Sequence, residues 1–163
     1  MKMKKELNEK EARVKAEAYC SVAERCRMDV VGKLYQWGVA ESCMDGIISH
    51  LEREGFLDSL RYAKAFVRDK YRFNQWGRVK ITQALKMKQM ESFEIHSALE
   101  EIDEEEYGRI LDALLIKKLK SIKAATDFER NGKLLRFAAS HGYEMDVILC
   151  RMKLLDLGDE AFD

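Results

Sequence analysis

Three observations predict an all-α fold of three tandem three-helix repeats, stacked into an elongated, curved body. First, six apolar positions, Val30, Leu34, Val39, Met44, Ile48 and Leu51, recur 51 residues on as Ile81, Leu85, Met90, Ile95, Leu99 and Ile102. They recur again 53 residues later as Leu134, Ala138, Tyr143, Ile148, Met152 and Leu155, with Ala138 the one weak position. The internal steps are 4, 5, 5, 4 and 3 each time. Steps of 3 or 4 are helical turns, and two consecutive steps of 5 mark a break between two helices. Second, the 163 residues include no proline and are rich in Ala, Leu, Glu, Lys, Met and Arg, all strong helix formers. Third, no stretch alternates apolar and polar residues as a half-buried strand does.

Each element follows from local signals. Residues 1–11 (MKMKKELNEKE) carry few apolar anchors and are expected to be flexible. A first helix runs from Ala12 to about Arg27. Asp29 is the N-cap expected for a second helix, Val30 to Trp37, which Gly38 ends in a left-handed C′ position. Ser42 is the expected cap of the third helix, Met44 to Glu54, which stops at Gly55. The first repeat spans 12–56. The second, 57–103, opens with Asp58 or Ser59 capping a helix from Leu60 to about Arg72. A loop from Phe73 to Gly77 follows, then a helix from Arg78 to Lys88, and Ser92 caps a last one to Ile102. The third, 104–157, begins with a long helix from Glu104 or Glu105 to about Phe128. Asn131-Gly132 reads as a turn, Lys133 to Ser140 as a helix ending at Gly142, and Met145 to Leu155 as the last helix. The acidic tail 158–163 is expected to be flexible. A three-helix unit of about 50 residues buries little apolar area alone, and in-line stacking supplies the rest.

Composition excludes several function classes. Cys20, Cys26, Cys43 and Cys150 form no CxxC pair and read as reduced core thiols. His50, His96 and His141 have no ligand-type partner a helical turn away, so neither a metal nor a cofactor is expected. Met1 to Lys5 is basic without an apolar stretch behind it, and no 18-residue apolar run occurs, which predicts a soluble cytoplasmic chain with no membrane partner. There is no Gly-rich phosphate loop, no GxSxG and no HExxH, so no catalytic residue is assigned and a non-enzymatic protein is expected.

The formal net charge is zero, but it is strongly segregated. From Arg61 to Met90, nine basic residues face one acid; from Glu91 to Asp112, nine acids face one Arg; from Ala113 to Arg136, seven basic residues face two acids. On a helical wheel Arg61, Lys64, Arg68 and Arg72 fall within about 60° of one another, opposite Ala63, Phe66 and Val67. This cationic stripe has no acid at i+4 to neutralise it, and it continues through Arg78 and Lys80 with Tyr71, Phe73 and Trp76 between. The ordinary reading of such a stripe is a solvated face. Its near-freedom from acids and its interleaved aromatics instead suit a nucleic-acid or nucleoprotein surface, with phosphate contact and base stacking. Trp76 and Phe73 could equally close the core of the repeat.

These residues resemble a known family. Gly55-Phe56-Leu57-Asp58, Arg61-Tyr62-Ala63, Phe66-Val67, Arg72, Gly77-Arg78, Lys80-Ile81 and Leu85 are similar to the signature of the RecX regulatory proteins. Leu34 and Trp37-Gly38-Val39 resemble a second step of that signature. The likeness extends over residues 12–157 and is sharpest in the middle repeat. Two positions depart from it: Gln89 stands where the family has glycine, so that turn has to form without glycine's freedom at positive φ, and Ser59 replaces the usual acid. The resemblance implies tandem three-helix repeats. It also implies a regulator that lies in the helical groove of RecA filaments on single-stranded DNA and limits RecA's recombinase, ATPase and coprotease activities in DNA repair and the SOS response. The basic stripe supplies the surface expected for this, Arg61, Lys64, Arg68, Arg72, Trp76, Arg78 and Lys80, which is open to free DNA as well, on a chain expected to be a monomer.

Two other readings of the residues stand beside it, a helical-repeat scaffold for other proteins and a three-helix nucleic-acid-binding module. No recognition helix rich in Arg, Asn and Gln favours the latter. An in-line array has a measurable consequence. Small-angle scattering is expected to give a radius of gyration clearly above the ~15 Å of a compact chain of this length; a value near ~15 Å would rule the array out.

Overall fold

A computed structural model describes residues 7–155 and 157, and these residues form an all-α fold. In chain order the helices are α1 (Glu9–Val22), α2 (Arg27–Gln36), α3 (Glu41–Arg53), α4 (Ser59–Arg72), α5 (Arg78–Met87), α6 (Ser92–Leu99), α7 (Glu104–Leu119), α8 (Asp127–Ser140) and α9 (Met145–Leu154). The first and third helices of each triplet pack together, and the middle helix packs on both. The apolar residues of α1–α3 form one core, while those of α4–α9 form a second that runs across two triplets. Cys26 joins the first triplet to that second core.

The repeated steps of 5 have a specific physical origin. Gly38, Gly55, Gln89 and Gly142 each sit just past a helix end at positive φ (75°, 78°, 61° and 93°). The N–H two residues past the cap then reaches back to a carbonyl in the last turn: Val39 N to Leu34 O (3.0 Å), Met90 N to Leu85 O (3.1 Å) and Tyr143 N to Ala138 O (3.4 Å). This is the Schellman closure, and it fixes the first step of 5. Val39, Met90 and Tyr143 immediately precede the N-caps Ala40, Glu91 and Glu144 of α3, α6 and α9. Each is therefore placed to staple onto the fourth residue of the next helix, Met44, Ile95 or Ile148, which fixes the second step of 5. All repeat positions are buried except Met90, Leu99 and Leu155, which are half-buried.

Several boundaries differ from the sequence expectations. The chain is already helical at Glu9, because the Asn8 side chain accepts from Glu11 N (2.8 Å); residues 1–6 and 158–163 lie outside the described residues. Asp29 is not the N-cap of α2: it is the third helical residue, accepting from the N–H of the true cap, Cys26, at 3.2 Å. Ser42 and Ser92 are not caps either, since the apolar staples set those starts at Ala40 and Glu91. The largest difference lies in the third triplet. The expected helix to Phe128 stops at Leu119, and α8 begins at Asp127. Thr126 Oγ1 accepts from Glu129 N (3.1 Å) while the Glu129 carboxylate accepts from Ala125 N (3.2 Å). That reciprocal cap starts α8 early and carries Asn131-Gly132 into the helix interior. Asn131 is fully buried there and donates through Nδ2 to Leu157 O, tying α8 to the chain after α9.

Gln89 makes the left-handed turn without glycine, and the turn keeps its hydrogen bonds. A side chain in that conformation costs about 1–2 kcal/mol, so Gln89→Gly is expected to raise the melting temperature by a few degrees. No rise in thermal denaturation would show that the turn is unstrained. Leu85 and Ile95 are buried and Lys86 is exposed. Leu85→Ala and Ile95→Ala should each cost about 2–5 kcal/mol and Lys86→Ala less than about 0.5 kcal/mol. Denaturant unfolding of the three variants checks this, and equal midpoints would overturn the register.

Candidate functional site

The α4–α5 face is positioned from below by the core. Asp58 caps α4 by accepting from Arg61 N (2.9 Å). Tyr62, Ala63, Val67 and Tyr71 are buried, which turns Arg61, Lys64, Arg68 and Arg72 outward with side chains 36–44% exposed. The predicted stripe is therefore present on one face. It is not free of acids. Arg61 Nε lies 2.6 Å from Glu24, Lys64 and Arg68 lie 3.8 and 3.2 Å from Glu101, and Arg72 Nε lies 3.0 Å from Glu106. The i+4 rule looks only along α4, whereas these carboxylates arrive from other elements. The hydrogen bond and charge of Glu106 hold the Arg72 guanidinium above its ordinary pKa.

Arg78 departs furthest from the outer face expected for it. Its side chain is only 19% exposed, with Nη1 2.9 Å from Glu144, Nη2 on Glu104, and the guanidinium 4.2 Å above the Tyr107 ring. Burial opposes the Arg78 cation, but the hydrogen bond and charge of Glu144 outweigh it and the pKa is raised. Tyr107 is the centre of this junction. Its hydroxyl accepts from Arg78 N (3.0 Å) and donates to Glu144. Burial, then the Glu144 carboxylate, pushes the phenol far above its ordinary range, so Tyr107 is a permanent donor.

Backbone meets backbone beside it. Gly77 N donates to His141 O (2.8 Å) and Val79 N to Gly142 O (2.9 Å). A Cβ on Gly77 would lie 2.3 Å from the Gly142 carbonyl, and one on Gly142 would lie 2.3 Å from Lys80 Cβ. The start of α5 is thus seated on the α8–α9 turn.

Trp76 and Phe73 divide between the two readings given for them. Trp76 is half-buried against the core, with its ring centre 6.3 Å from that of Phe66. Its indole is covered by Lys70 and Lys80, at 4.7 and 4.6 Å. Phe73 is 80% exposed. Lys80 has no carboxylate within 4.0 Å among the described residues. The structure thus keeps Arg61, Lys64, Arg68 and Arg72 as one row on α4, sets Trp76 with Lys70 and Lys80 against Phe66 on the opposite side of that helix, and draws Arg78 into the junction with Tyr107 and Glu144. Sequence reasoning missed Lys70, which shares Trp76 with Lys80, and missed Tyr107, Glu144 and Gly142. The glycine pair carried a signal, since Gly77 precedes one middle helix, α5, and Gly142 follows another, α8.

Other chemistries find little here. Cys20 and Cys26 are buried, and burial raises both thiols, but Cys43 is half-buried and Cys150 exposed, so the core reading fails for Cys150. No group of three potential metal ligands occurs among the described residues, and no helix among them is long and apolar enough to cross a membrane.

Comparison with known proteins bears on the fold and the family. The RecX second three-helix domain matches residues 58–99, and the RecX third three-helix domain matches residues 104–150. The regulatory protein RecX of Clostridium botulinum is 34% identical over 118 residues, covering 71% of this chain and 55% of that protein. Its counterpart in Neisseria meningitidis is 26% identical over 145 residues, covering 89% and 91%. The chain spans about half the length of several of the curated relatives it matches. The crystal structure of RecX from Lactobacillus salivarius superposes with a TM-score of 0.81 over 92% of this chain and 97% of that one, at 21% identity, which speaks to the fold. With two successive three-helix domains matched over α4–α9 and the same fold throughout, the chain belongs to the RecX family.

Proposed function

We propose that this protein is a non-enzymatic regulator that binds RecA filaments on single-stranded DNA, along their helical groove, and restrains RecA's recombinase, ATPase and coprotease activities. Its setting is DNA repair and the SOS response in the cytoplasm, and it acts as a monomer. The observation that carries the reading is the row of outward cations on α4, Arg61, Lys64, Arg68 and Arg72, in a chain of this family. The proposed surface adds Trp76 with Lys70 and Lys80 from the other side of α4, and Arg78 as its half-buried support. That its arginines are already paired is compatible with docking. An exposed ion pair contributes about 0.2–1 kcal/mol, so exchanging an in-chain carboxylate for an anion of the filament costs little. Complementary charge then governs encounter and register more than total affinity.

The test uses cations that do not bridge between triplets. Lys64→Gln, Arg68→Gln, Lys70→Gln and Lys80→Gln are combined, and RecA's ATP hydrolysis on single-stranded DNA is measured at two salt concentrations. Wild type is expected to inhibit, more strongly at low salt. The variant should keep its helicity, melt within a few degrees of wild type, and lose most of the inhibition. Undiminished inhibition by the variant would remove the face from the site. No effect of wild type on the filament would remove RecA as partner and leave a scaffold role.

A further inference from the structure

Among the described residues, the largest group of cations without a carboxylate partner is not on the α4–α5 face. It lies in the third triplet, where α7 stops at Leu119 and the chain turns before α8. That break opens a cleft of about 530 Å³ whose walls include Lys118, Lys123, Lys133 and Arg136, with Phe137 beside them. Residues 117–136 carry seven basic side chains against two acids, Asp127 and Glu129. Those two acids are taken up by Arg130 (3.3 Å) and Lys133 (3.2 Å). Lys117, Lys118, Lys120, Lys123 and Arg136 have no carboxylate within 4.0 Å among the described residues. The contrast with the stripe is direct, since every arginine there meets an acid.

Structural roles explain part of this charge. Lysines in the last turn of α7 oppose the negative end of its dipole, and Lys118 lies 4.8 Å over the Phe137 ring. Lys133 is fixed across the cleft by its bond to Lys123 O (2.8 Å). Neither account reaches Lys123 and Arg136, both exposed. Arg136 also has space made for it. Its guanidinium lies over Gly132, one turn earlier on α8, where an added Cβ would be 3.3 Å from Nη1. A glycine inside a helix is unfavourable against almost any other residue, and here its bare face lets the guanidinium lie back along the cleft wall.

We infer that this α7–α8 cleft is a second anion site, one that binds the phosphodiester backbone of nucleic acid without reading its sequence. Several converging cations with few local acids are what phosphate contact requires, and the affinity comes from release of the counterions condensed on the polyanion. Base stacking is not part of the site. Lys118 covers the Phe137 ring and His141 packs against it with ring centres 4.7 Å apart, so the ring serves as wall. The inference is independent of the RecA reading, because it concerns naked nucleic acid.

The experiment contains no RecA. Binding of the full chain to a fluorescent 30-residue oligo-dT is followed by anisotropy across a salt series, with a duplex of equal length and inorganic polyphosphate as further arms. Lys123→Gln with Arg136→Gln removes two contacts that nothing else in the fold uses. Each phosphate contact on a single strand contributes about 0.7 to the log–log salt slope, or about fivefold at 0.1 M salt. The double variant should therefore bind about 25-fold more weakly at 0.1 M salt, with a slope shallower by about 1.4. Its melting temperature should be unchanged. Arg53→Gln with Lys86→Gln, two exposed cations outside both basic surfaces, should bind as wild type does, and polyphosphate should compete for the cleft. The relative affinities of strand and duplex identify the form the site takes. A cleft variant that binds like wild type, an Arg53/Lys86 variant that loses as much, or a wild type that binds neither strand nor duplex would each overturn the assignment.

Discussion

The constraint on which this fold depends is a single left-handed residue after each middle helix. Gly38, Gln89 and Gly142 reverse the chain at positive φ, and the next residue then does two things at once. Its N–H closes the preceding helix, and its side chain is placed to staple the following one. One apolar residue thus fixes both the end of one helix and the angle of the next. This is why Val39, Met90 and Tyr143 keep their spacing to neighbours on both sides while the intervening residues vary freely. Glycine is the usual device for the turn, but the closure needs only the conformation. Gln89 adopts it because the buried Leu85 and Ile95 on either side hold the geometry more strongly than one side chain resists it.

The same turn, in the third triplet, also joins the triplets. Gly142 presents its carbonyl to Val79, and the two glycines approach so closely that neither position admits a Cβ. Arg78, Tyr107 and Glu144 then lock the contact with charge-assisted bonds in a half-buried setting, where they are stronger than at the surface. The α4–α6 and α7–α9 triplets consequently share one apolar core. The first triplet keeps its own, joined to the rest by Cys26, by the Arg61–Glu24 pair and by Lys88 near Asp29 at 3.8 Å. The body thus has one stiff junction and one lighter one.

Much of this was legible in the residue pattern because capping and stapling are local, and local devices leave fixed spacings. The helical class, the three copies and the turns at Gly38, Gly55 and Gly142 all followed from such spacings. Where two local signals competed, the wrong one was easily taken. Asn131-Gly132 reads as a turn by propensity, but Thr126 and Glu129 form a capping box five residues earlier, and tertiary burial of Asn131 completes the helix. Ser42 and Ser92 were plausible caps that lost to apolar staples for the same reason. The stripe itself was legible from the wheel; its partners were not, since Glu24, Glu101 and Glu106 lie 33–37 residues away along the chain.

That last point changes what segregated charge means in this chain. The basic run 61–90 is followed by the acidic run 91–112, and folding lays α4 against α6 and α7 so that the two runs neutralise each other across the helix contacts. Much of the segregation is thus internal wiring: it selects the register of α4 against its neighbours, with each exposed pair contributing modestly. Such a paired face still attracts a partner at contact distance, where carboxylates can be exchanged, but it projects little field beyond a Debye length of about 8 Å. Charge that reaches further has to come from a segment whose acids are already used or absent. Among the described residues, the 117–136 segment is a basic run whose only ion pairs lie within α8 itself. In the proposed reading, attraction at a distance and specificity at contact are therefore carried by different parts of the molecule.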